Sequence, residues 1–172
     1  MARPGGQQRF LGELSRCRRV NLDTNILIYY LGGESRYAGL VKGLFRLVDE
    51  GSLEIVISAI VQMELMVAPI RKGDFNAMER VVDLTERQPN LEVAQVSRVI
   101  VGRAAWLRAD GLEVPDALIV ATGIVTQCDA ALTNDGRWRS SLAKFAQRPP
   151  MAHGDVFLTL PRMLYLDEFV GS

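Results

Sequence analysis

Histidine and cysteine are almost absent from this chain, whose 172 residues include one histidine, His153, and two cysteines, Cys17 and Cys128. A single histidine excludes phosphoester cleavage by a histidine pair, and it excludes a histidine-rich zinc site. Two cysteines form neither a disulfide framework nor a metal-binding spacing, which is typical of a reducing cytosol. If the chain is an enzyme, carboxylates must therefore carry out the chemistry.

The chain also lacks net charge, long apolar runs and glycine-rich nucleotide-binding fingerprints. Its 20 basic residues balance 20 acidic ones, so any nucleic-acid binding must come from a local patch. No apolar run approaches the roughly 20 residues that span a bilayer, and the polar N-terminus lacks the core of a signal peptide. These absences predict a soluble, cytoplasmic protein that does not bind membranes.

Short apolar runs alternate with helical patterns along the chain, which predicts a parallel sheet covered by helices. Strands are predicted at 20–23, 54–58, 91–96 and 130–133. Helices are predicted from about residue 25 and at 40–50, 59–68, 74–87, 97–110, 115–127 and 138–145, with less defined elements at 156–160 and 163–169. The helix at 59–68 is expected to end before Pro69. Residues 1–17 are expected to form a tail or leading segment before a single domain at 18–172.

Four acids occupy related places in this pattern. Asp23 ends the first strand, Asp116 lies at the start of a helix, and Asp135 follows the strand at 130–133. Glu64 has apolar residues three and four positions away on its helix, so it is expected to face inward. Because the carboxyl ends of parallel strands meet at one edge of the sheet, these acids are expected to lie together.

Each acid also has a simpler role when it is considered alone. Asp23 can cap the helix that follows it, and Asp116 can interact with the helix dipole. Asp135 can belong to an ordinary Asn-Asp-Gly turn. Glu64 can pair with an arginine or reach solvent at the rim of the domain.

A cluster of four carboxylates implies a counterion. Two carboxylates ~4 Å apart repel by about 4 kcal/mol at an effective dielectric constant of 20, so the cluster requires protonation or a divalent cation. Oxygen ligands without histidine or cysteine select Mg²⁺ or Mn²⁺. A metal held in this way can activate water and support phosphodiester hydrolysis without any histidine.

The segments that carry these acids resemble the PIN-domain nucleases, and within them the VapC-like toxin ribonucleases of type II toxin–antitoxin systems. The matching segments, in the family's order and roughly its spacing, are Leu-Asp-Thr-Asn (22–25), Ser58 to Glu64-Leu65, Pro-Asp-Ala-Leu-Ile-Val-Ala-Thr (115–122) and Leu-Thr-Asn-Asp (132–135). The resemblance implies a three-layer α/β/α sandwich with a roughly five-stranded parallel sheet and metal-dependent cleavage of RNA.

The resemblance also implies roles for individual residues and a set of partners. It places the family's catalytic quartet at Asp23, Glu64, Asp116 and Asp135, with supporting polar residues at Thr24, Asn25, Thr133 and Asn134. From the residues themselves, we expect the three aspartates to hold Mg²⁺ or Mn²⁺. The inward helix face of Glu64 is the reason to expect that it positions or deprotonates the attacking water. The implied partners are an RNA substrate, a small antitoxin and a second copy of the chain. The leading segment is longer than in a minimal toxin, so it could be an added partner-binding element.

Basic residues should rim the acids, since RNA is held by its phosphates. The candidates for RNA binding are Arg18, Arg19, Arg137 and Arg139, although a solvated surface position is the simpler explanation for any one of them. Trp138 could stack on a base or pack in the core. Likewise, residues 29–31 (Tyr-Tyr-Leu) could form a partner surface or complete the core.

Two other functions share features with the ribonuclease. A phosphatase of the haloacid dehalogenase type also uses an aspartate at the end of its first strand. That chemistry requires a second acid two residues later, where this chain has Asn25. A non-catalytic PIN-like module that binds RNA or protein stays open from the sequence alone, as does the choice between a toxin and a housekeeping nuclease.

Overall fold

The computed structural model describes residues 4–33, 36–147 and 159–170. Within them, five parallel strands form one sheet in the order β3-β2-β1-β4-β5. The strands are β1 Arg19–Leu22, β2 Glu54–Ser58, β3 Leu91–Ala94, β4 Ala130–Thr133 and β5 Arg162–Tyr165. The central strands are buried along almost their whole length because both faces of the sheet are covered. The predicted five-stranded parallel sheet of an α/β/α sandwich is confirmed.

Helices connect successive strands and cover the sheet. They are α1 Pro4–Leu14, α2 Thr24–Gly32, α3 Ala38–Asp49, α4 Ala59–Lys72, α5 Phe75–Arg87, α6 Arg98–Ala109, α7 Val114–Val125 and α8 Arg137–Ala146, with a 3₁₀ helix at Leu166–Phe169. The apolar helix α7 packs across β1, β2 and β4, whereas α4 packs on β2 and β3. Ile119 and Val120 on α7 are fully buried, which fixes this helix against the centre of the sheet.

The strand order places a topological switch point between β1 and β4, because the chain continues from β1 to β2 and β3 on one side and builds β4 and β5 on the other. Ligands of open parallel sheets bind outside the carboxyl ends of strands at such a point. The Asp23 backbone N–H donates to the Leu132 carbonyl of β4 at 3.0 Å. Residues after β1 and residues after β4 therefore lie side by side at this edge.

The leading segment is packed against the rest of the described fold. Phe10 and Leu14 of α1 are buried in the same core as the sheet. The Phe10 ring meets the Phe169 ring edge-on, with 5.2 Å between centroids. Arg162 Nη1 of β5 lies 2.6 Å from Glu13 Oε2. Helix α1 thus contacts the last strand and the 3₁₀ helix that follows it.

The predicted end of the helix at 59–68 is wrong, because α4 continues through Pro69 to Lys72. A proline removes one intrahelical N–H, so it weakens a helix at one bond without always ending it. Here the helix ends at Gly73, whose φ of 63° gives the left-handed conformation that terminates many helices. The neighbouring Ala68 and Ile70 are exposed, so solvent can reach the backbone around the proline.

The remaining boundaries agree with prediction to within a few residues, where the structure describes them. The element predicted at 163–169 corresponds to β5 and the 3₁₀ helix. His153 and most of the element predicted at 156–160 lie outside the described residues. No helix among the described residues combines the length and apolar character that crossing a membrane requires.

Candidate active site at the carboxyl edge of the sheet

Asp23 lies where β1 passes into α2, and only 6% of the residue is exposed. Its carboxylate accepts hydrogen bonds from the Thr24 backbone N–H at 2.7 Å and from Asn25 Nδ2 at 2.6 Å. It also accepts one from the Thr133 hydroxyl at 2.5 Å. The first bond is the helix cap that its position predicts. The bond from Thr133, on a different strand, shows that Asp23 also joins β1 to β4.

Burial raises the pKa of Asp23 to about 6. Hydrogen bonds from Thr133 and Thr24 lower this pKa, while the negative charges of Asp116 and Glu64 raise it. The carboxylate therefore lies in a poorly solvated, electronegative environment, where a cation would be favourable.

Glu64 extends from α4 toward the same group and is partly buried. The Thr24 hydroxyl donates a hydrogen bond to Glu64 Oε2, which connects α4 to the first turn of α2. No arginine or lysine among the described residues pairs with Glu64. Among the described residues, Thr24 is therefore the side chain that orients this acid.

Asp116 lies in the first turn of α7, directly after Pro115. Burial raises its pKa and the charge of Asp135 adds to this effect, whereas the Trp138 indole N–H and Arg137 lower it. The Trp138 Nε1 is buried and has no hydrogen bond of standard geometry within the described part of the chain.

Asp135 follows β4 and is held by an arginine. Arg137 Nε lies 3.0 and 2.8 Å from the two carboxylate oxygens, and Arg137 Nη2 also contacts Oδ2. The Arg137 backbone N–H donates to Oδ1 at 2.9 Å. These bonds lower the pKa of Asp135.

A fifth acid, Glu113, was not anticipated from the sequence. Its Oε1 lies 3.5 Å from Arg137 Nη1, so this guanidinium bridges the N-cap residue of α7 and Asp135. The signal available in the sequence was its place three residues before Asp116, at the start of the same helix. The pairing with Arg137 depends on how α7 and α8 approach each other, which the sequence does not give.

The predicted polar residues form a network around Asp23. Asn25 Nδ2 lies 3.4 Å from Thr133 Oγ1, and Asn25 Oδ1 accepts from the Asn134 backbone N–H at 3.3 Å. The Thr133 hydroxyl accepts from the Asp135 N–H at 3.0 Å. Thr133 therefore contacts both Asp23 and Asp135, and it fixes the spacing of the segments that follow β1 and β4.

Two of the predicted RNA-binding residues, Arg18 and Arg19, do not lie near the acids. They stand at the amino end of β1, and a strand of this length at about 3.3 Å per residue separates them from Asp23 by roughly 13 Å. The Arg19 guanidinium instead pairs with Glu54 and Glu92. The expectation that these arginines rim the site is therefore not met.

Arg139 points away from the acids, and Trp138 packs in the core. Arg139 pairs with Asp167 and Glu168, and its guanidinium lies over the Tyr165 ring at 3.7 Å. Trp138 is fully buried, so it packs in the core and offers no face to a base. Of the four candidate arginines, Arg137 is the one that contacts an acid of the predicted quartet.

The chemistry of the donor set fits a hard divalent cation. Asp23 is coupled electrostatically to Glu64 and Asp116, and Asp116 is coupled to Asp135. Carboxylate oxygens without nitrogen or sulfur ligands favour Mg²⁺ or Mn²⁺. In this structure, no group of three or more His, Cys, Asp or Glu side chains among the described residues is arranged to hold a metal ion. Both oxygens of Asp135 are engaged by Arg137, so Asp135 would have to leave the arginine to bind a metal.

Comparison with known families and structures gives a consistent result. The family model described as PIN domain matches residues 20–141. No curated protein sequence matches the chain. A chain in the crystal structure of VapBC2 from Rickettsia felis, bound to a DNA fragment from their promoter, is 22% identical over 70% of this chain and 91% of that chain, with a TM-score of 0.55.

Two further solved structures share the fold. One is a toxin–antitoxin complex from Klebsiella pneumoniae, with 24% identity over 68% of this chain and 86% of that chain and a TM-score of 0.52. The other is DNA-bound VapBC from Salmonella typhimurium, with 18% identity over 87% of this chain and 98% of that chain and a TM-score of 0.56. At these identities the likeness shows a common fold.

Proposed function

This chain belongs to the PIN domain family, and on that premise we propose that it is a metal-dependent ribonuclease that hydrolyses RNA phosphodiester bonds. The observation that carries the proposal is the coupling of the acids at the carboxyl edge. Burial raises the pKa of Asp23 to about 6, and the charges of Asp116 and Glu64 raise it as well. An arrangement that costs stability in this way is typical of a functional site.

In this proposal Asp23, Asp116 and Asp135 hold Mg²⁺ or Mn²⁺. When bound, the ion activates water and screens the charge of the phosphate. The protein's part is to orient the ligands. Three hydrogen bonds fix the Asp23 carboxylate, and the first turn of α7 fixes the position of Asp116.

Glu64 positions or deprotonates the attacking water in the same proposal. Its Oε2 accepts from the Thr24 hydroxyl, whereas its Oε1 has no hydrogen-bond partner among the described residues. One oxygen is therefore oriented by the protein and the other is available to a water molecule. This arrangement suits a general base, which needs a fixed orientation and a proton-accepting oxygen within reach of the nucleophile.

We further propose that the chain is the toxin of a toxin–antitoxin pair, with a small antitoxin as partner, a homodimer as its assembly and the cytoplasm as its location. The support for the antitoxin is that one solved structure of similar fold is a toxin–antitoxin complex and two others are VapBC complexes bound to DNA. Co-expression with the reading frame next to the gene would test the pair. Stable co-purification and suppression of RNA cleavage are expected, and an adjacent product with neither effect would contradict the toxin assignment.

Exposed apolar side chains on α2 and α4 are consistent with a protein partner. Ile28 on α2 is 53% exposed and Met63 on α4 is 54% exposed, and the two helices pack against each other. Val67 and Ile70 extend the exposed apolar positions along α4. Tyr30, by contrast, stacks on Phe45 at 3.6 Å between ring centroids and so helps to complete the core.

RNA cleavage with and without metal tests the catalytic proposal. The full chain should cleave single-stranded RNA with Mn²⁺ or Mg²⁺ and lose this activity in EDTA. Asp116→Asn should abolish cleavage and weaken Mn²⁺ binding while the thermal unfolding midpoint stays close to that of wild type. An Asp116→Asn protein as active as wild type would overturn the proposal. Absence of Mn²⁺ binding to wild type would instead favour a non-catalytic module.

A further inference from the structure

Arg137 occupies the carboxylate of a proposed metal ligand. Its Nε lies 3.0 Å from Asp135 Oδ1 and 2.8 Å from Oδ2, and its Nη2 also contacts Oδ2. A cation that used Asp135 would need the same oxygen lone pairs. Guanidinium and metal therefore exclude each other, at least in part, at this side chain.

The guanidinium is accessible to solvent. The Arg137 side chain is 70% exposed and the Asp135 side chain is 19% exposed, so water screens this ion pair from the arginine side. Arg137 Nη1 lies 3.5 Å from Glu113 Oε1. Glu113 therefore keeps the guanidinium near the site when a metal ion binds Asp135. Arg137 is thus tethered beside the acids without being fixed to one partner.

We propose that Arg137 is a positioning residue that exchanges partners. It holds Asp135 in the metal-free protein, releases it when the divalent cation binds, and then contacts the RNA phosphates beside the acids. The inference rests on the proposed function, and it adds that the chain carries its own competitor for its metal site. A planar, permanently charged guanidinium suits both partners, since carboxylate and phosphate present similar pairs of oxygens.

Helix α8 supplies a matched control. Arg139 lies two residues further along the same helix and pairs with Asp167 and Glu168, away from the quartet. Arg137→Ala and Arg139→Ala each remove one positive charge from the same helix. Arg139→Ala controls for the loss of one positive charge from α8, whereas the contact with Asp135 is lost in Arg137→Ala alone.

The first experiment measures Mn²⁺ binding to the full chain without RNA, by calorimetry or by electron paramagnetic resonance. Arg137→Ala should bind Mn²⁺ about two- to fivefold more tightly than Arg139→Ala, which is the change expected from removing one exposed competing ion pair. Circular dichroism and thermal unfolding check that both variants are folded. Equal Mn²⁺ affinities in the two variants would overturn the exchange.

Asp116→Asn separates this failure from failure of the proposed function. If Asp116→Asn weakens Mn²⁺ binding but the two arginine variants bind Mn²⁺ with equal affinity, the exchange is wrong and the metal site is retained. If wild type shows no Mn²⁺ binding that depends on Asp116, both the proposed metal site and the exchange are wrong.

The second experiment tests the contact with RNA at saturating Mn²⁺. Arg137→Ala should raise KM for single-stranded RNA more than it lowers kcat, and should reduce the salt dependence of binding by about one phosphate contact. Arg139→Ala should leave both quantities close to wild type. An Arg137→Ala protein with unchanged KM and salt dependence would overturn the phosphate contact.

Discussion

Asp23 and Asp129 lie at opposite ends of the same sheet and have opposite electrostatic surroundings. Asp129 precedes β4 at the amino edge, where its Oδ2 accepts backbone N–H bonds from Arg18 at 2.7 Å and from Arg19 at 3.0 Å. These bonds lower its pKa. Asp23 follows β1 at the carboxyl edge, where burial raises its pKa to about 6. The same strands form both edges, so the difference comes from the side chains around each aspartate.

The two edges use charge in different ways. At the amino edge, Arg19 pairs with Glu54 and Glu92, so each of these two acids has a cation beside it. At the carboxyl edge, Asp23 and Glu64 have polar partners but no paired cation among the described residues. The pairing of the acids with cations, rather than the fold, therefore distinguishes the amino edge from the candidate active site.

The largest expected effect is the loss of RNA cleavage when an aspartate is replaced at the carboxyl edge but not at the amino edge. Asp23→Asn should reduce RNA cleavage by at least about a thousandfold, since removing one member of a catalytic unit costs almost the whole of its contribution. Asp129→Asn makes the same chemical change at the amino edge and should leave cleavage within twofold of wild type. Initial rates with saturating Mn²⁺ compare the two variants. Comparable losses in both would show that cleavage depends on stability and not on the carboxyl edge.

The second effect concerns the dependence of stability on pH in metal-free protein. The folded pKa of Asp23, about 6, lies above its ordinary value of 3.8. The stability linked to this proton is therefore fully present below pH 3.8 and is lost as the pH rises through 6. The shift corresponds to a loss of roughly 2–3 kcal/mol.

Urea unfolding of wild type and Asp23→Asn in EDTA measures this loss. The free energy of unfolding of Asp23→Asn, minus that of wild type, should rise by about 2 kcal/mol between pH 4 and pH 7.5. Carboxylates remote from Asp23 titrate alike in both proteins and cancel in the difference. A difference that stays constant across this range would mean that Asp23 is not electrostatically unfavourable.

The third effect tests how the acids are positioned. Thr133 donates to Asp23 and accepts from the Asp135 N–H, so Thr133→Val should lower kcat about tenfold, as expected when a residue that orients metal ligands is removed. The control is Thr122→Val, because Thr122 is equally buried and its hydroxyl bonds to the Leu118 carbonyl of its own helix. A Thr133→Val protein with the kcat of Thr122→Val would contradict the positioning role.

Much of this arrangement was accessible from the sequence because it depends on local order along the chain. Asp23 and Asp135 directly follow apolar strands, and parallel strands bring such positions to one edge. The same rule predicts that Arg18 and Arg19 do not lie beside the acids. They precede the first strand, so they had to lie at the edge opposite Asp23.

Other features depend on tertiary packing and left little local signal. The contact of Arg137 with Glu113 requires α7 and α8 to approach each other, and burial of Phe10 requires α1 to meet the last strand region. Helix α4 continues through Pro69. The loss of one intrahelical hydrogen bond at a proline can therefore be outweighed by the stability of the rest of the helix.

The smallest expected effect lies at the amino edge and concerns stability. Asp129→Ala removes the acceptor of two backbone N–H groups and should cost about 1 kcal/mol at pH 7, whereas Asp129→Asn should cost less because an amide oxygen can still accept. Since the folded pKa of Asp129 is lowered, its contribution is present above its ordinary pKa and is lost as the pH falls through the folded value. Urea unfolding of both variants at pH 7 and pH 3 should therefore show their deficits shrinking at low pH. A deficit that instead grew on acidification would place Asp129 in the same electrostatic class as Asp23 and remove the contrast between the two edges.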